Sequence, residues 1–164
     1  TGSMLQTSCY MVSRQLVYES GGWKENLLMN QDGDFFSRIL MIASKAYFIS
    51  NAKVYYRIGE YSTVSKANSE NKLVSLLDSY ISYKENALIH KDNLRVRKAL
   101  SYNFTYFIYL YGNKYPALYK KAKDQVENLG VGFQLRKKSP RIRFVSKILG
   151  FENLMAIRRI ISKE

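Results

Sequence analysis

Gly21-Gly22-Trp23-Lys24-Glu25-Asn26-Leu27-Leu28-Met29-Asn30-Gln31-Asp32-Gly33-Asp34-Phe35-Phe36-Ser37-Arg38-Ile39-Leu40 is the stretch on which the reading of this chain turns. It opens on a Gly pair, which suits a turn that needs positive φ or close backbone approach. It then sets two carboxylates, Asp32 and Asp34, at the mouth of an apolar run. Phe35, Phe36, Ile39, Leu40, Ile42 and Ala43 have the spacing of a helix with one buried face, predicted over about Gln31–Ser44. Asn30, Gln31 and Asp32 are start-type residues, and acids in a first turn suit the positive end of the helix dipole. Asp34 and Arg38 fall on one face, four residues apart, and can pair. That spacing divides the work: Asp34 is held by Arg38 or by backbone amides, and Asp32 is left to face a site. A carboxylate so placed reads either as a helix cap or as a catalytic base held where a loop meets a rigid element.

Outward from this stretch, Leu5–Ser13 has β-favouring residues toward its end and is predicted as a strand. Arg14–Glu19 reads as a short helical turn, ended by Ser20-Gly21-Gly22. Trp23, the one Trp, is a core or core-edge anchor or else a sugar-stacking platform. Downstream, Ala46–Ile58 holds Tyr47, Phe48, Ile49, Val54, Tyr55 and Tyr56, predicted as two short strands around Ser50-Asn51-Ala52. From about Glu70 the pattern turns helical. Leu73, Leu76, Leu77, Tyr80 and Ile81 share one face. A second helix is predicted from near Asp92, burying Val96, Leu100, Phe104, Phe107, Ile108 and Tyr111 and stopping at Gly112. A third runs over Pro116–Leu129 with Leu118, Ala122, Val126 and Leu129 inward and Gly130 past its end. The fold class is therefore α+β and mostly α-helical, with short strands in the N-terminal third and helices in the rest.

Gly-Gly-Trp-x-Glu at 21–25, Gln-Asp-x-Asp-Phe-Phe-x-Arg at 31–38, Tyr-Tyr-Arg at 55–57 and Ser-x-x-Ser at 62–65 occur in an order and spacing that resembles family 2 glycosyltransferases. The resemblance covers about residues 3–66 and is to the second, acceptor-side half of their GT-A catalytic domain. It implies a fragment of a GT-A α/β enzyme, with Asp32 as general base on the acceptor hydroxyl and Asp34 and Arg38 supporting it. It also implies acceptor contacts from Trp23, Glu25 and Gln31, and donor diphosphate contacts from Arg57 and Lys66, where a forked guanidinium suits phosphate. Gln31 stands where the family has Glu. Gly59 stands where the family often has a His that helps to hold the metal or diphosphate. The nucleotide-binding βαβ units and an Asp-x-Asp holding a divalent metal, Mg or Mn, would belong to a preceding half. The chain then reads as the C-terminal piece of a longer enzyme, inactive alone and binding no metal itself. Nucleotide sugar and a sugar or lipid-linked acceptor are the partners implied, with bacterial surface polysaccharide synthesis as the setting. Residues 1–66 are the catalytic portion, 67–133 a helical subdomain and 134–164 basic C-terminal helices. Strand edges left open by a truncated sheet favour a homodimer.

With 164 residues the chain can bury a real core, and 46% hydrophobic content is globular, not disordered. A single Cys excludes an intrachain disulfide, and Cys9 is expected to be a buried inert thiol. One Cys and one His make no ordinary zinc site, and His90 is expected in a solvated loop. No signal-peptide pattern and no apolar run of membrane-spanning length occurs, which favours a reducing, cytoplasmic location. The basic tail and the lipid-linked acceptor that the resemblance implies add a peripheral place at the inner face of the plasma membrane. The formal net charge of +13 favours anionic partners. It is dense at the end: Gln134–Glu164 holds nine Lys or Arg and two Glu, interleaved with apolar residues. That tail reads as an anionic-membrane surface or as terminal helices packed on the domain. The alternative to the transferase is accordingly a basic helical module for anionic membrane or nucleic acid. No recognised motif accompanies the charge, so nucleic acid ranks last.

Overall fold

The computed structural model describes residues 7–55, 69–135 and 140–161. Seven helices occur there: α1 (Arg14–Glu19), α2 (Gln31–Ile42), α3 (Glu70–His90), α4 (Leu94–Tyr111), α5 (Pro116–Leu129), α6 (Pro140–Leu149) and α7 (Phe151–Ile161). The chain forms two compact units, Thr1–Asn86 and Ala87–Glu164, with the boundary inside the last turn of α3.

The α+β expectation is wrong: no strand occurs among the described residues. Residues 10–13 do alternate as a strand would, with Tyr10 and Val12 half-buried and Met11 exposed. They follow a 3-10 turn at Thr7–Cys9, and no neighbouring backbone among the described residues offers a ladder. The segment is held by side chains instead. Tyr10, Val12 and Val17 pack on Phe35, Phe36 and Ile39 of α2, and Tyr10 stacks on Phe36 at 4.1 Å. Further on, a turn does form after Ile49, whose carbonyl accepts from the Ala52 amide at 3.3 Å. The arms beside it stay unpaired among the described residues, with Tyr47, Phe48 and Tyr55 turned out. β-propensity describes side chains that suit a pleated surface, and it makes a strand only where a partner strand exists. The GT-A sheet expected from the resemblance has no counterpart among the described residues.

The helical reading holds more closely. α2 starts at Gln31 and ends at Ile42, two residues short of the expected Ser44. Phe35, Phe36 and Ile39 are buried, whereas Leu40 is exposed. α4 begins just past the expected Asp92, with the Asn93 side chain accepting from the Val96 amide at 3.0 Å. α5 spans Pro116–Leu129 with all four expected residues buried, and Gly130 closes it at φ 66°. Within the second unit α4 packs on α5 and α6 on α7. Cys9 is exposed rather than buried, since the 3-10 turn carries it outward. His90 closes α3 as an exposed helical residue rather than lying in a loop.

Two runs of hydroxyls do work that the apolar pattern hides. On α3, Ser75, Ser79 and Ser82 are buried beside Leu73, Leu76 and Leu77. On α4, Ser101 and Thr105 are buried. There the Ser101 hydroxyl donates to the Gly132 carbonyl at 2.6 Å, and the Thr105 oxygen accepts from the Gln134 amide at 3.0 Å. Each run ties a loop to a helix through a short side chain that needs little ordering.

Candidate functional site

Asp34 is wholly buried, so its charge must be compensated. Arg38, one turn along α2, supplies most of that: Nε donates to Oδ2 at 3.0 Å and Nη2 lies 2.9 Å from the same oxygen. Lys24 Nζ meets the other oxygen, Oδ1, at 3.3 Å and also donates to the Ser82 hydroxyl at 2.7 Å. Arg38 then reaches back to the Gly pair, donating to the carbonyls of Ser20 and Gly22, the latter at 2.7 Å. Gly21 and Gly22 have φ of 78° and 68°, the left-handed turn their sequence suggests. One carboxylate thus joins α1's end, the 21–30 loop, α2 and α3.

Asn30 completes the loop. It takes φ 62°, a left-handed geometry that Asn tolerates better than most residues. It occupies the N-cap of α2, but its side chain does not cap. Its amide instead donates to Ser79 Oγ at 2.8 Å and to the Tyr83 hydroxyl at 2.6 Å. Ser75 Oγ accepts from the Leu28 amide at 2.7 Å and from the Met29 amide at 3.2 Å. Gly33 must be small, because a Cβ there would overlap the Tyr83 hydroxyl and the Asn30 side-chain oxygen. Burial pushes the Tyr83 hydroxyl well above its ordinary pKa of 10.0, against the opposing hydrogen bond from Asn30; the nearby Asp34 and Asp32 charges raise it further.

Asp32 differs from Asp34. It lies half-buried in the first turn of α2. Its Oδ1 accepts from the neighbouring Gly33 amide at 2.8 Å, and its Oδ2 from Thr7 Oγ1 at a long 3.4 Å. Trp23 is 44% exposed, its ring tilted over Phe35 at 4.8 Å, so it sits at the core's edge with a face left over. Glu25 is exposed in the loop, and Gln31 is the half-buried first residue of α2. Arg57 and Lys66, with Tyr56, Gly59 and the Ser62–Ser65 region, lie outside the described residues. The structure therefore brings together Arg38 and Asp34, the pair suggested by their spacing. It adds Lys24, Asn30, Ser75, Ser79, Ser82 and Tyr83, which pattern reading missed. Serines at 75, 79 and 82, spaced four and three along an apolar face, were the available signal.

No group of three metal-ligating side chains occurs among the described residues, and both Asp34 oxygens already face cations, so the Asp32–Asp34 pair does not fit a divalent metal. No helix among the described residues is long and apolar enough to cross a membrane. A cleft of about 260 Å³ in the second unit, lined by Asn113, Pro116, Tyr119, Glu152 and Arg159, is smaller than ordinary ligand pockets and includes none of the residues expected from sequence. No family model, curated protein or solved structure matches the chain.

Proposed function

We propose that this chain is the acceptor-side part of an inverting glycosyltransferase that moves a sugar from a nucleotide sugar to an acceptor hydroxyl, in bacterial surface polysaccharide synthesis on the cytoplasmic side of the membrane. The observation that carries the reading is the contrast between the two carboxylates. Asp34 is locked between Arg38 and Lys24, whereas among the described residues Asp32, two residues away, makes two light contacts, with Thr7 and the Gly33 amide. Asp34 is the anchor, and Asp32 is the base that the anchor positions.

In the reaction the acceptor oxygen attacks the anomeric carbon as the bond from that carbon to the diphosphate oxygen breaks. The acceptor proton passes to an Asp32 carboxylate oxygen, and the nucleoside diphosphate leaves with the bonding pair. A carboxylate suffices because the hydroxyl becomes acidic only as the new bond forms. One base and one in-line attack give inversion. The half-open face of Trp23 suits an acceptor sugar ring, and Glu25 and Gln31 supply hydrogen bonds to its hydroxyls. Arg57 and Lys66 are assigned to the donor diphosphate. The divalent metal belongs, in this reading, to the donor-binding half, and no step here passes through it.

The test is Asp32→Asn in the full-length protein. Transfer to acceptor should fall by about 10²–10⁴-fold, the usual worth of a general base. Thermal stability should change by no more than about 1 kcal/mol, the worth of an acid in a helix's first turn. Retained transfer would remove Asp32 from the chemistry and leave it a helix-start residue.

A further inference from the structure

We infer that the α6–α7 end of the chain is a docking surface for an anionic lipid bilayer, independently of the transfer chemistry. α7 is fastened by its inner side and, at its start, by the Lys123–Glu152 ion pair. Phe151, Leu154 and Met155 are buried, Phe151 stacks on Phe133 at 4.4 Å, and the Arg158 guanidinium lies 3.8 Å above the Tyr109 ring while donating to the Tyr109 carbonyl. None of that uses Ile160, which is 70% exposed. On α6, Phe144 and Ile148 stand one turn apart, each 64% exposed, with the exposed Lys147 beside them. Large apolar side chains held in water next to cations are the composition of a helix that lies in a bilayer interface.

Charge selects the partner. The second unit, Ala87–Glu164, carries seventeen Lys or Arg against five Asp or Glu, a net +12, while Thr1–Asn86 carries nine against eight. A second copy docked here would bring like charge onto like charge. Nucleic acid would satisfy the cations, but no recognised base-reading motif accompanies Phe144, Ile148 and Ile160. An anionic bilayer takes both: headgroup phosphates meet Lys147 and Arg159, and the acyl boundary takes Phe144, Ile148 and Ile160.

The test is flotation of the whole chain with vesicles of phosphatidylcholine alone and of equal parts phosphatidylcholine and phosphatidylglycerol. The chain should float with the mixed vesicles, weakly with the neutral ones, and less as salt is raised. Phe144→Ser with Ile148→Ser should cut partitioning at least about tenfold, from the apolar area removed. Its unfolding temperature should not move, since both side chains are exposed. Equal flotation of that double variant, or no flotation of the wild-type chain, overturns the proposal. So does binding to an oligonucleotide without vesicle binding, which assigns the charge to nucleic acid. Loss of a dimer in the double variant without vesicle binding overturns it too and assigns the face to a second copy.

Discussion

At the scale of the residue, Asp34 and Tyr83 determine what the loop before α2 can tolerate. The Asp34–Arg38 pair was legible, because four residues on a helix bring two side chains to one face. Its burial was not, because burial depends on α3, far along the chain, closing over it through Ser82 and Lys24. Asp34→Ala should therefore cost about 3–5 kcal/mol in urea unfolding, since it strands Arg38 without its counter-charge. A loss under about 1 kcal/mol would mean that water reaches the pair. Tyr83 makes a pH prediction. Its native pKa lies above the unfolded value of 10.0, chiefly through burial. As pH climbs past 10, the unfolded chain loses this proton first, so the native state holds more protons and stability falls with rising pH. The contribution is complete below pH 10 and fades above it. Tyr83→Phe should cost about 1 kcal/mol at neutral pH, through the lost acceptor for Asn30, and should flatten the alkaline limb. Tyr111 and Tyr119, also raised by burial, remain in both proteins, so the difference between the two curves isolates Tyr83.

At the scale of the element, helices were readable and strands were not. Pro116 at the start of α5 and Gly130 after it mark a helix with local signals that need no partner. Tyr10 to Val12, or Tyr47 to Ile49, carry equally clear β character, but a strand is a property of two segments, and sequence shows only one at a time. The same limit hid the serine run of α3. Counting apolar residues identifies the buried face; it does not identify which small polar residues on that face will hold a distant loop. Ser75 is the sharpest case, since its one oxygen accepts from two successive amides, Leu28 and Met29. Ser75→Ala leaves both donors without that acceptor and should cost about 1–3 kcal/mol. Hydrogen exchange gives the specific readout: the Leu28 and Met29 amides should lose protection, while those of α5 keep theirs. If all amides speed up together, the serine supports the whole unit rather than this loop.

At the scale of the whole molecule, the uneven charge is the dominant fact. A net +12 in Ala87–Glu164 against +1 in Thr1–Asn86 means that self-repulsion falls almost wholly on the second unit. That repulsion opposes compactness in proportion to the range over which charges feel one another. The range is about 30 Å at 0.01 M salt and about 8 Å at 0.15 M. Raising salt between those values should therefore protect α4 and α5 more strongly, slowing exchange at amides that depend on opening of the second unit. The effect should be about 1 kcal/mol or less, the scale of exposed charge interactions. α2 and the front of α3 should hardly respond, because their unit is near neutral and its buried pair is screened by protein rather than by salt. Equal protection in both units would mean that salt acts through a general effect on apolar burial, and sulfate would then outdo chloride at equal ionic strength. Loss of protection in α4 and α5 would mean that favourable ion pairs, such as Asp92–Arg97 and Lys123–Glu152, outweigh the repulsion.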